Sequence, residues 1–274
     1  MNLRSLIFPF FVFLLMTKSI CASEAIRYFD IKYYDPANYD LKDLYFEVQV
    51  PGLAEKLNER MSYGKIENVY YEVFWLTHDK FKIKVKGLPE GFKKLRNELK
   101  SLVYNRIDYV LPQKLAPKLE GYTIEEKKIK GGEKFVKAID ETHEKNINKI
   151  HLKFDSDGKL REFKTFSPSG TQIARMSYKK YPWSHEKWVA DEIKVKSLLG
   201  VQKSTINHKI SYQKISKYGL PKKIKFVTRQ ELVGNQGDGE ETPQREIETT
   251  LLFNQYKINQ GIAKKEILKS PSSD

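Results

Sequence analysis

Cysteine is nearly absent from this chain of 274 residues, which contains only Cys21. A single thiol cannot close an internal disulfide, and its removal by processing would leave no thiolate ligand or thiol nucleophile. Histidine is also scarce: the five are scattered, and none forms a His-Glu-x-x-His pair. The sequence has no Gly-x-Ser-x-Gly elbow, phosphate-binding glycine loop or dinucleotide fingerprint. It therefore predicts a protein that is not an enzyme, with no catalytic residue, metal site or cofactor.

Asp155-Ser156-Asp157-Gly158 begins like a calcium-binding loop. The further ligands and the closing glutamate of that loop are not in register downstream. A hairpin turn between two strands is the better interpretation of this segment.

Long apolar runs are missing except near the N-terminus, where residues 6–16 follow the basic start that includes Arg4. Small residues, Cys21-Ala22-Ser23, come next, and the whole pattern is typical of a cleaved secretory signal peptide over residues 1–23. The run is too short for a permanent membrane span. Ile20 argues against lipid attachment at Cys21, since bacterial lipoprotein signals carry a small residue there. We therefore expect an exported, periplasmic protein rather than an outer-membrane lipoprotein anchored through Cys21.

Basic residues are in excess, with 49 lysines and arginines against 35 acids. Removing Arg4 and Lys18 with the signal peptide leaves 47 − 35 = +12. Such a charge favours anionic partners, and export argues against nucleic acid. An anionic membrane surface is a candidate partner, while the simpler interpretation is that alternating lysines keep one face of a wide sheet soluble.

The chain is organised around residues 66–104, which predict a strand, a turn, a second strand and one amphipathic helix. In the second strand Phe81, Ile83 and Val85 alternate with lysines, so one face is apolar and the other charged. After Gly87 the apolar spacing changes to three and four, which predicts a helix over residues 90–104. The stripe of this helix includes Phe92, Leu95 and Leu99.

Strand patterns and short turns make up most of the remaining chain, after a short N-terminal helix that stops at Asp35-Pro36. About ten or eleven strands joined by short turns require antiparallel pairing in one domain over residues 24–268. Residues 269–274 are expected to be a disordered tail. An open sheet of that size is on the order of 50 Å wide, whereas the predicted helix is only about 22 Å long. The sheet must therefore close its own core or leave a concave apolar groove.

Three segments resemble the periplasmic lipoprotein-carrier superfamily, the LolA/LolB-type half-barrel of outer-membrane lipoprotein sorting. They are Phe253-Asn254-Gln255-Tyr256-Lys257-Ile258-Asn259-Gln260-Gly261, Phe154-Asp155 with Gly158-Lys159-Leu160, and Tyr218-Gly219-Leu220-Pro221-Lys222-Lys223-Ile224. The resemblance implies a mainly β fold: one curved antiparallel sheet, an unclosed half-barrel, with the amphipathic helix on its concave face. It also implies a monomeric carrier or chaperone that shelters the acyl chain of a lipid or lipidated protein.

Under this hypothesis an apolar cavity is lined by the second strand, the helix stripe and one aromatic residue of the first strand. Its predicted residues are Trp75, Phe81, Ile83, Val85, Phe92, Leu95 and Leu99. Two alternatives stay open. One is an envelope sensor or adaptor that uses the same fold to bind a protein partner. The other is a basic scaffold protein of the cell envelope.

Overall fold

A computed structural model describes residues 23–59, 65–77, 80–111, 114–232 and 245–269. The predicted signal peptide, apart from Ser23, and residues 270–274 of the predicted tail lie outside these ranges. Both stay predictions.

The described chain forms five α-helices and twelve β-strands. The helices are α1 (Glu24–Lys32), α2 (Leu53–Asn58), α3 (Lys93–Val110), α4 (Leu115–Lys118) and α5 (Ile262–Ile267). The strands of the N-terminal part are β1 (Asp43–Gln49), β2 (Tyr70–Leu76), β3 (Lys80–Lys86), β4 (Thr123–Lys128), β5 (Lys134–Ile139) and β6 (Lys149–Phe154). The remaining strands are β7 (Leu160–Ser167), β8 (Gly170–Lys179), β9 (Val189–Leu199), β10 (Gln202–Ile215), β11 (Tyr218–Leu232) and β12 (Arg245–Ile258).

All twelve strands belong to one antiparallel sheet in the order β3-β2-β1-β12-β11-β10-β9-β8-β7-β6-β5-β4. The sheet is not closed, so β3 and β4 are its two edges. This confirms the predicted fold class, with twelve strands where the sequence suggested ten or eleven. The expected turns are present: Asp155 and Gly158 connect β6 to β7 through a bond from the Gly158 N–H to the Asp155 carbonyl oxygen.

Helix α3 begins three residues later and ends six residues later than the sequence predicted. Pro89 and Gly91 precede its start, and Phe92 occupies the N-cap without a side-chain hydrogen bond. A poorly capped start shortens the first turn. At the other end the apolar stripe continues through Ile107, which is buried, so packing extends the helix past Tyr104.

Side chains on one face of the sheet form two apolar clusters that meet at β8. Direct cross-strand pairs put them on the same face, because Leu152 lies opposite Phe163, Phe163 opposite Ala174, and Ala174 opposite Val195. Helix α3 packs on the cluster that contains Val195, and α1 and α4 pack on the one that contains Leu152. Three helices therefore share the concave face, where the sequence predicted one.

Helix α1 is fixed at both ends. The Ser23 hydroxyl accepts a hydrogen bond from the Ile26 N–H, which is the expected N-cap. The Asp30 carboxylate accepts from the Leu115 and Ala116 N–H groups at the start of α4, at 2.7 and 3.0 Å. Burial raises the pKa of Asp30. These bonds hold α1 and α4 together, so the two short helices cover the apolar cluster that contains Leu152 as one unit.

Candidate functional site

Six of the seven residues predicted to line an apolar cavity lie together on the concave face. Trp75, Ile83 and Val85 are buried in the larger cluster, and Phe81, Leu95 and Leu99 are partly buried against it. Phe92 is partly exposed at the N-cap of α3 and belongs to none of the clusters. The structure therefore brings strand and helix residues together, with Phe92 at the margin.

The face of β3 is as the lysine alternation predicted. Trp75 lies opposite Phe81, which places both on the concave face. Lys82 and Lys84 lie on the other face, where both ammonium groups meet the carboxylate of Glu266 on α5, at 2.8 and 2.7 Å. Hydrogen bonds from these lysines lower the pKa of Glu266 to about 2. Helix α5 thus covers the convex face, where Ala263 also packs with Tyr45 and Phe74, while α3 covers apolar groups on the concave face.

Burial along α3 is uneven. Leu95 and Leu99 in its N-terminal half are only partly buried, whereas Val103, Ile107 and Leu111 further on are buried to 1–2% exposure. Helix α3 contacts β3, an edge strand of the sheet, and the centre of the Phe81 ring lies 5.1 Å from that of the Tyr104 ring. The apolar contact between the helix and the sheet is therefore loosest in the N-terminal half of α3.

A polar cluster lies under the C-terminal half of α3. The Arg106 guanidinium lies over the Phe226 ring, 3.8 Å from its centre, and donates to the Leu102 carbonyl oxygen at 2.7 Å. His208 lies directly opposite Phe226 on the neighbouring strand β10, with the two ring centres 5.6 Å apart. His208 Nδ1 lies 3.2 Å from the Ile193 carbonyl oxygen, which can only accept. Burial, and then the charge of Arg106, lower the pKa of His208 to about 4, so the imidazole is neutral at pH 7.

Sequence reasoning did not find this cluster. A usable signal was present, since Arg106 follows Leu99 by seven residues and so falls on the apolar stripe of the helix. His208 lies between Ile206 and Ile210 in a strand that alternates, which puts all three on one face. A charged residue on an apolar stripe implies a buried partner.

Tyr71 adds a second buried polar group to the concave face. Its side chain is fully buried in the larger cluster, next to Val85 on the neighbouring strand. No hydrogen-bond partner for its hydroxyl exists among the described residues. Burial raises the pKa of Tyr71, so the group is a neutral donor. An unsatisfied buried hydroxyl costs about 1–3 kcal/mol.

Open cavities on the described surface include one beside α1 and one beside β11 and β12. One of about 640 Å³ lies between α1 and the β6–β7 turn, with Tyr28, Lys134, Asp157 and Trp188 in its wall. Another of about 410 Å³ lies beside Lys222 and Asn254. None of the seven predicted residues lines either cavity. Their assignment as ligand-binding residues stays a prediction.

The fold and this site define a class of protein, an open antiparallel sheet with helices α1, α3 and α4 covering its concave apolar face. The N-terminal half of α3 packs loosely on that face. Comparison with models of protein families, with curated proteins and with solved structures finds no match. In the described ranges, no helix is both long and apolar enough to cross a membrane. No group of three or more His, Cys, Asp or Glu residues in those ranges is arranged to hold a metal ion.

Proposed function

We propose that the protein is a periplasmic carrier that shelters an acyl chain of a lipid or lipidated protein between α3 and the sheet. The observation that carries the proposal is the gradient of burial along α3. Apolar side chains at its N-terminal half, with Phe81 of the edge strand, are half-covered and border solvent. An acyl chain entering at this edge would complete their burial.

Displacement of the N-terminal half of α3 would open this edge, while the C-terminal half holds the helix in place. Arg106 on Phe226 and the buried Val103 and Ile107 tie down the C-terminal half. Each buried methylene contributes about 0.8 kcal/mol, so about twelve contribute about 10 kcal/mol. That gain is large enough to offset the loss of contact between the sheet and half-buried leucines such as Leu95 and Leu99.

The Tyr71 hydroxyl supports a ligand with a polar acceptor. It is a buried donor in the apolar cluster on which α3 packs, without a partner in the described chain. A carbonyl or ester oxygen of an acylated ligand would satisfy it. The resemblance to LolA/LolB-type half-barrels and the signal-peptide pattern support the same class of ligand and an exported location.

Quenching of tryptophan fluorescence by brominated fatty acids tests the proposed site. The chain has three tryptophans: Trp75 lies in the cluster under α3, whereas Trp183 and Trp188 lie elsewhere. We expect quenching that is largely lost in Trp75→Phe and retained in Trp188→Phe. The reverse result would place the chain at the cavity beside α1, whose wall contains Trp188. Absence of quenching would reject acyl binding.

Two leucine substitutions provide a matched affinity test. Leu95→Ala with Leu99→Ala should weaken fatty-acid binding by about tenfold or more, because about 1–2 kcal/mol of apolar contact is lost. Leu198→Ala is the control, since Leu198 is exposed at the far end of β9. Equal losses in both proteins would contradict binding under α3.

Native mass spectrometry of protein purified without detergent separates the alternatives. A co-purifying lipid is expected, together with a mature N-terminus near Ala22 or Ser23. A lipid-free protein that captures one stoichiometric protein partner would favour the sensor or adaptor instead. Release from envelopes by salt, with no lipid bound, would favour the basic scaffold.

A further inference from the structure

A line of cross-strand neighbours that includes four positive side chains crosses the convex face of the sheet, opposite the proposed acyl site. Direct cross-strand pairs connect Lys137 of β5 to His151 of β6, and His151 to Lys164 of β7. The line continues through Ile173 to Lys196 of β9, then through Thr205 to Arg229 of β11. We call Lys137, Lys164, Lys196 and Arg229 the cation row; His151, Ile173 and Thr205, which lie between them, are neutral at pH 7. Since neighbouring strands are about 4.8 Å apart, the row spans about 29 Å.

Carboxylates occur only at the two ends of the cation row. Glu125 meets Lys137 at 3.5 Å, and Glu246 meets Arg229 at 2.7 Å. Lys164 and Lys196, in the middle, form no ion pair with any residue in the described part of the chain. The interior of the row is thus uncompensated positive charge.

The neighbouring row on the same face is built differently. There Glu162 lies between Lys153 and Arg175, 3.2 Å from one and 2.9 Å from the other. Further along this row Lys194 lies directly opposite Arg175 and forms no ion pair in the described part of the chain. Glu162 therefore compensates only one end of the neighbouring row, and unpaired cations extend into it beside Lys196.

Aromatic rings flank His151 within this surface. Phe135 and Phe166 contact the imidazole edge-on, with ring centres 5.0 and 4.8 Å away. The ammonium groups of Lys149 and Lys164 lie over the Phe166 ring at 4.4 and 4.7 Å. Burial, and then the surrounding lysines, lower the pKa of His151. Lysines therefore cover the Phe166 ring, which does not offer a free surface for stacking a nucleobase.

We propose that the cation row binds a linear acidic polysaccharide that lies across the strands. A flexible chain of carboxylated sugars can follow the outward curve and meet the middle lysines in succession. A flat bilayer would contact only a few strands of a convex surface at once. The covered aromatic ring disfavours single-stranded nucleic acid, which uses open stacking surfaces. The proposal is independent of acyl binding, because the two surfaces are on opposite faces of the sheet.

Fluorescence anisotropy of labelled polygalacturonate with the full mature chain tests the proposal. Lys164→Gln with Lys196→Gln should weaken binding by about tenfold at low salt and flatten its dependence on salt concentration. The matched control is Lys203→Gln with Lys225→Gln, which removes the same formal charge. Both control lysines are exposed on the convex face but paired, with Glu231 and Glu248, at 2.9 and 2.8 Å. We expect the control to bind within about twofold of the unmodified protein.

Several results would overturn the proposal. Equal weakening in both double variants would show attraction by net charge alone. No binding of polygalacturonate, or tighter binding of single-stranded DNA or phosphatidylglycerol vesicles, would reject the polysaccharide as occupant. Thermal unfolding of all variants establishes that they fold; a large loss of stability in Lys164→Gln with Lys196→Gln would show that the row is structural.

Discussion

The pH dependence of stability tests the buried cluster formed by His208, Arg106 and Phe226. His208 is 2% exposed, and its pKa falls from 6.5 in the unfolded chain to about 4 in the folded protein. The unfolded chain therefore binds a proton between these values while the folded protein does not. Stability from the neutral imidazole is complete above pH 6.5 and is lost as the pH falls towards 4. A shift of this size is worth about 3 kcal/mol in total, of which about 2 kcal/mol is lost by pH 5.

Urea unfolding at pH 7.5 and pH 5.0 measures this loss. The unmodified protein and His208→Gln share their other titrating groups, so the difference between their two pH responses isolates His208. We expect the variant to be less stable at pH 7.5 and to lose about 2 kcal/mol less on acidification. His143→Asn replaces an exposed histidine in the loop between β5 and β6 and should keep the full response. An identical loss in His208→Gln and the unmodified protein would refute the assignment.

Three further substitutions test other parts of the fold. Glu266→Gln should lower the free energy of unfolding by about 1 kcal/mol at pH 7. Because the pKa of Glu266 is lowered in the folded protein, the difference in stability between the variant and the unmodified protein should disappear as the pH falls from 4.5 towards 2. Thermal melts that show the same difference at pH 7 and pH 3 would contradict this. Gly219→Ala should destabilise the protein by about 2 kcal/mol or more, because the new Cβ would lie 1.9 Å from a Trp183 ring atom; Trp183→Leu should recover part of that loss in urea titrations. Tyr71→Phe should leave stability unchanged or raise it by about 1 kcal/mol while weakening acyl binding; a clear loss of stability without ligand would show that the hydroxyl is hydrogen-bonded.

Local sequence patterns were sufficient to predict the sheet and to assign the residues of its strands to one face or the other. Phe81, Ile83 and Val85 alternate with lysines, and a period of two leaves only one way to orient them. The class of fold followed from many such strands joined by turns. Helix ends were harder, because the start of α3 depends on a weak cap and its end on tertiary packing around Ile107.

Helix α4 illustrates what sequence periodicity misses, whereas the short N-terminal helix that the sequence predicted is present as α1. Four residues of α4 are too few to show a period, and Pro117 lies among them. The buried position of α4 depends on Leu115 and on the Asp30 carboxylate, which is 85 residues away in the chain. The cation row could not be predicted from the sequence either, because Lys164 and Lys196 come into line only through strand register. Contacts that depend on register or on distant partners need the folded structure.

The order of strands has a consequence for how the chain can fold during synthesis. β1 pairs on one side with β2 and on the other with β12, so that Leu44 meets Ile258 across more than 200 residues of sequence. Until β12 has been made, the three-stranded unit β1–β3 keeps a bare backbone edge, and the two parts of the sheet cannot join. The last strand therefore joins the unit β1–β3 to the unit β4–β11, and the backbone hydrogen bonds between the two units form only after the C-terminal region has been made.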